Sequence, residues 1–159
     1  MSAEAQIDSF LERYSPEVAA ELRAARAYLR SVFPRGHELV YDNYNALVFA
    51  FSPTERTADA FLSVAGYPRW VNLFFLYGAE LSDPSHLLRG SGKQVRNIRL
   101  SSAQQLSEPS VQALIDQALS PRREALLRAE PLQTTVKSVS AKQRPRRPPK
   151  LPAKTKRAA

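Results

Sequence analysis

The sequence predicts an α+β fold, with N-terminal helices and a C-terminal helix packed on a mainly antiparallel sheet, and three observations predict it. Apolar residues recur at helical spacing before residue 33 and after residue 110. Between Tyr41 and Tyr77 the pattern breaks into short β-rich runs, and ten of the fourteen aromatic residues fall there. At 159 residues without a cysteine, the chain is long enough to bury one core and has no means of stapling it with disulfides or thiolate-bound zinc.

Ile7, Phe10, Leu11 and Tyr14 mark a short first helix. In "SPEVAAELRAARAYLRSVFPRG", Val18, Leu22, Ala25, Leu29 and Val32 step by four and three residues; Ser15 is the N-cap, Pro16 the first helical residue and Pro34-Arg35-Gly36 the stop. The runs "ELVYDNY", "ALVFAF", "AFLSVA" and "WVNLFFLY" then form a meander of about four strands. "WVNLFFLY" is apolar on both faces except at Asn72, as in a central strand covered on both sides, whereas "QVRNIRL" alternates like a half-exposed strand near an edge. Asp83-Pro84 starts a short helical turn through Leu88. Val111, Leu114, Ile115, Ala118 and Leu119 share a face of the last helix, which Ser120-Pro121 interrupts before a further turn through Leu126 and Leu127.

The piece "LLRGSGKQVRNIRL" looks like a phosphate loop and fails the test for one. Gly90 and Gly92 are one residue apart, Lys93 is followed by Gln94, and the loop enters a strand, whereas a P-loop spaces its glycines by four and opens a helix. The glycines read as turn residues, with Gly90 left-handed.

Charge divides the chain. Residues 137–159 hold nine of the 23 Lys/Arg residues and no Asp or Glu; subtraction leaves 14 basic against 15 acidic residues in 1–136, a net charge of −1. The tail also lacks aromatic residues, so the expectation is a folded body over 1–136, with its boundary near Thr135, and a disordered basic tail over 137–159. Arg144, Arg146, Arg147, Lys150, Lys154, Lys156 and Arg157 are its candidate contacts to nucleic-acid phosphates; a solubilising terminus is the alternative.

Within the body, "HELVYDNYN" sets acceptors beside phenols. Glu38, Tyr41, Asp42, Tyr44, Trp70, Asn72, Lys93 and Arg96 form a candidate ligand cleft, although the same aromatic density suits an ordinary sheet core. Glu38, Asp42, Asn72 and Arg96 are costly to bury unpaired and therefore line a cleft or pair with one another. No catalytic trio or carboxylate pair at fixed spacing emerges, and His37 and His86 read as turn or surface residues, so the expectation is a non-enzymatic module that binds a small ligand or a protein partner. The start "MSAEAQIDSFLERY" lacks the basic flank and apolar run of a signal peptide, and "VNLFFLYGA" is short of the roughly 20 residues a membrane helix needs. A cytoplasmic protein without membrane contact is expected.

The order of features resembles the YdhG-like family of small bacterial domains of unknown function over about residues 6–120. An acidic-ended amphipathic helix precedes Glu38 and Tyr41 on a Tyr-rich first strand, an aromatic strand leads to Gly78, and Leu88, Gly90, Gly92, Lys93 and Arg96 enter the last strand. The resemblance implies an α+β sandwich, and the frataxin-like iron chaperone role proposed for some members supplies an alternative function with iron as the only implied cofactor. The acidic candidates for iron, Glu4, Asp8, Glu12, Glu17 and Glu21, are interspersed with Arg13, Arg23, Arg26 and Arg30, a mixture that makes a salt-bridged face rather than a metal ridge, so no metal ligands are carried over.

Overall fold

Ser15 accepts a hydrogen bond from the Val18 amide at 3.3 Å and Pro16 fills the first turn, so the helix α2, Pro16–Val32, begins where the sequence places it. Ahead of it lies α1, Ala3–Leu11. The computed structural model describes residues 1–150. Six strands follow in one open sheet: β1 (His37–Asp42), β2 (Leu47–Ser52), β3 (Leu62–Gly66), β4 (Val71–Phe75), β5 (Arg96–Leu100) and, after the helices α3 (Pro109–Leu119) and α4 (Arg123–Arg128), β6 (Gln133–Val139). Their order is β5-β4-β3-β2-β1-β6; β1 to β5 form an antiparallel meander and β6 pairs parallel with β1. The fold is α+β, as the sequence predicts.

Alternation along the strands divides the sheet into two unequal faces. Val40, Leu47, Phe49, Phe51, Leu62, Val64, Leu73, Phe75 and Ile98 point toward the helices and pack with Ile7, Leu11, Leu22, Leu29, Val111, Leu114 and Ile115 in the main core. On the other face a small cluster, Leu39, Ala50 and Ala60 with Tyr41 and Leu76, is covered by the loop after β2, and the Tyr41 hydroxyl meets Thr57 Oγ1 at 2.6 Å. One face therefore carries nearly all the apolar burial.

Three expectations change. β4 lies next to the edge strand β5, and its outward residues Asn72 and Phe74 are only half-buried, so it is not covered on both sides. Asp83 caps no helical turn; its carboxylate accepts from the amides of Leu87 (2.9 Å) and Leu88 (2.8 Å), and His86 takes φ +54° in the turn between, while Gly90 is left-handed at φ +114°. Most consequential, the expected disordered tail does not begin at residue 137. β6 runs through that boundary, and residues 140–150 continue across the end of the sheet as a strap: the Ser140 amide donates to Asp42 O and the Arg144 amide to Tyr44 O, each at 2.8 Å. Low apolar content argued for disorder, but backbone pairing with the exposed edge of β1 and one buried arginine supply the ordering energy instead.

Candidate functional site

Two buried carboxylates organise the molecule. Glu38 is fully buried and accepts from Arg26 Nε (2.8 Å), Arg26 Nη2 (2.9 Å), Arg30 Nη1 and Thr134 Oγ1 (2.7 Å), tying β1 to α2 and to β6. Burial opposes the Arg26 charge, but the hydrogen bonds it donates to Glu38 and Glu4 outweigh it and hold its pKa above the ordinary arginine value. Asp42, at the other end of β1, is 1% exposed and receives Arg146 Nη2 at 2.8 Å, Gln143 Nε2 at 2.9 Å and Arg13 Nη1 at 3.3 Å. Arg146 also donates to the carbonyls of Asn43 and Tyr44, so its side chain is the bolt that fastens the strap. Both carboxylates are engaged structurally, which removes them from any ligand cleft.

The fastened strap builds a cleft of about 410 Å³ at that end of the sheet, lined by Asn45 of the β1–β2 turn, Tyr67 and Pro68 of the β3–β4 turn, and Arg144, Pro145, Arg147 and Pro149 of the strap. The two turns are neighbours because Asp42 pairs with Leu47, Leu47 with Gly66 and Gly66 with Val71. Tyr14 locks this end from beneath: its hydroxyl donates to Gly66 O at 2.7 Å and accepts the Leu47 amide at 3.0 Å, and burial pushes its pKa up to about 12. Gly66 permits that approach, since a Cβ there would sit 2.6 Å from Leu22 Cδ2 and 3.3 Å from the Tyr14 ring.

The cleft combines cations with rings. Arg144 and Arg147 are exposed and, among the described residues, neither meets a carboxylate; the Arg147 guanidinium reaches only the carbonyls of Glu12 and Arg13 at 3.3 Å. Arg144 lies 5.7 Å from the centre of the exposed Tyr44 ring. Tyr67 packs against Trp70 with centroids 6.4 Å apart, and Arg99 stacks on Trp70 at 3.6 Å. Burial also raises the Tyr67 pKa. Among the described residues, no carboxylate lines the cleft. A second hollow, about 130 Å³ between the end of α2 and α4, is lined by apolar residues with Arg35 and Arg123 and is the smaller of the two.

The eight residues of the expected cleft are thus dispersed. Tyr44 and Trp70 stand at the strap end; Glu38 and Asp42 lie beneath in ion pairs; Tyr41 and Asn72 share a cross-strand row on the helix-free face through Val48 and Ala65. Lys93 and Arg96 belong to the opposite end, where Arg96 pairs with Phe75 and its guanidinium is held by the carbonyls of Gly92 (2.7 Å) and Val95 (2.9 Å). Of the expected phosphate contacts, Arg144, Arg147 and Lys150 are exposed, Arg146 is buried and unavailable, and Lys154, Lys156 and Arg157 lie outside the described residues. Tyr67 and Pro68 escaped the sequence reading, although "YPRW" between two strands carried a signal: two rings and a cation in one short turn. Two of the five acidic candidates for iron form ion pairs, Asp8 with Arg23 at 3.0 Å and Glu4 with Arg26 at 2.8 Å, and the latter lowers the Glu4 pKa, while Glu21 accepts the Ala103 amide. His37 opens β1 rather than standing in a turn. Comparison with known proteins adds no relative: no family model, no curated protein and no solved structure matches the chain.

Proposed function

We propose that this chain is a non-catalytic binding module whose ligand is anionic and seats in the cleft beneath the C-terminal strap. The observation that carries the reading is the pair Arg144 and Arg147, two exposed arginines on a concave wall that, among the described residues, holds no carboxylate. A guanidinium fork matches the geometry of phosphate or carboxylate oxygens, and cations set on one wall attract such a ligand rather than one another's counter-charges. Prolines 68, 145 and 149 restrict the walls, which lowers the ordering cost of binding. Kinship with the YdhG-like domains and a cytoplasmic location belong to the same reading: the order of helices, meander and glycine turn supports the first, and the absence of cysteine accords with the second.

The test is calorimetric titration of the full chain with pyrophosphate and with uridine monophosphate. Binding to the native protein and a loss of at least about tenfold in the Arg144→Ala/Arg147→Ala variant are expected, since a hydrogen bond to a charged group contributes about 1.5–3 kcal/mol. Both side chains are exposed, and a melting curve checks that the variant keeps its fold without the Arg147 bonds to Glu12 and Arg13. Equal affinity in the two proteins would refute the site.

A further inference from the structure

We infer that the anionic ligand of this cleft is single-stranded nucleic acid, held by phosphates on Arg144 and Arg147 and by bases against Tyr44, Tyr67 and Trp70; the inference rests on the anion-binding reading above. A bare anion needs no aromatic surface. Yet Tyr44 is 48% exposed in the β1–β2 turn, and Tyr67 and Trp70 flank the β3–β4 turn of the same sheet end, outside the core that absorbs the phenylalanines. Tyr44 is exposed beside the cationic cleft, and Tyr67 and Trp70 are half-buried next to it, with Arg99 over one face of Trp70; the ring surface that remains is suited to stacking, which every base offers on its flat face.

A strand of alternating bases and phosphates needs cations and rings side by side, and this end of the sheet supplies both. Arg144 lies against Tyr44, Arg147 lines the same cleft as Tyr67, and Arg99 stacks on Trp70, so cations and rings are neighbours both at the strap and at the β3–β4 turn. A duplex already stacks its bases on one another and presents only phosphates and base edges, so it leaves these rings without a partner. On the helix side of Trp70 the neighbouring hollow is lined by Glu17 and Glu21 with Arg69, and two carboxylates against one cation make it a poorer seat for phosphate than the cleft. Arg146 takes no part; it holds the strap on which the other two arginines stand.

Trp70 is the only tryptophan, so its fluorescence reports on the site directly. Titrating the full chain with a short oligouridylate should quench it, with log affinity falling by about 0.7 per contacted phosphate as log salt rises. Tyr44→Ala should weaken the oligouridylate about tenfold, as loss of one stacked base implies, while leaving pyrophosphate binding unchanged. Tyr44 is exposed, and a melting curve confirms the variant's fold. Inorganic polyphosphate binding as tightly as the oligouridylate, or a duplex of equal length binding more tightly, would overturn the inference. So would an oligouridylate that fails to bind a protein that still holds pyrophosphate through Arg144 and Arg147, a result that leaves the anion site intact.

Discussion

Replacing Arg146 by methionine tests whether the strap is part of the fold. Arg146 and Asp42 each have side chains 1% exposed, so the substitution leaves a buried carboxylate short of its closest cation. Breaking a buried ion pair from one side costs about 3–5 kcal/mol. The lower end applies here, because Asp42 keeps Gln143 at 2.9 Å and Arg13 at 3.3 Å, although Arg13 is 46% exposed and screened by water. About 3 kcal/mol is a large share of the 5–15 kcal/mol typical of a domain, and it corresponds to a melting temperature lower by roughly 6–12 °C. Urea denaturation followed by Trp70 fluorescence measures the loss. Asp42→Asn combined with Arg146→Met should recover part of it, since neither charge is then buried alone. Truncation after Thr135 should cost at least as much, because it also removes most of β6 from the edge of β1. A change below about 0.5 kcal/mol for Arg146→Met, the range of ordinary surface substitutions, would show that the strap does not dock and that the boundary near Thr135 was correct.

Other expectations follow from the packing around that end. The Tyr14 hydroxyl is protonated in the folded state up to about pH 12 and in the unfolded chain only up to its ordinary value of 10.0, so its stabilisation is complete below pH 10 and declines by at most about 1.4 kcal/mol per pH unit between the two values. Tyr14→Phe should be less stable at neutral pH by about 1–3 kcal/mol, through loss of the bonds to Gly66 O and the Leu47 amide, and flatter across that alkaline window; parallel denaturation curves in both ranges check it. Gly66→Ala should destabilise by about 1–3 kcal/mol, because the fully buried Leu22 has little room to retreat from the new methyl; a chemical melt decides. Gly90→Ala should cost about 1 kcal/mol through its φ of +114°, whereas Lys93→Ala should leave both stability and pyrophosphate affinity unchanged.

The parts of the fold legible in the sequence were those with local causes. Ser15-Pro16 starts α2, and the alternating aromatic runs form the meander, because capping and pleat act between near neighbours. β6 was not legible: "QTTVKSV" gains its place by parallel pairing with His37–Asp42, almost a hundred residues earlier, and nothing near it in sequence announces that partner. The site was half legible. The cost of burying Asp42 unpaired signals a missing cation, but that cation, Arg146, stands in a segment whose lack of aromatic residues predicts disorder. Tyr44 and Trp70 are legible as candidate cleft residues, yet the closeness of Tyr44 to Arg144 depends on sheet register and on the strap, and composition carries neither.

The most direct measurement is a map of amide chemical shifts as uridine monophosphate is added to the full chain. Shifts should concentrate at Tyr44 and Asn45, at Tyr67 to Trp70 and at Arg144 to Lys150, the three segments that meet at the cleft. Shifts centred on Gly90 to Arg96, at the opposite end of the sheet, or spread evenly over the surface, would contradict the placement of the ligand beneath the strap.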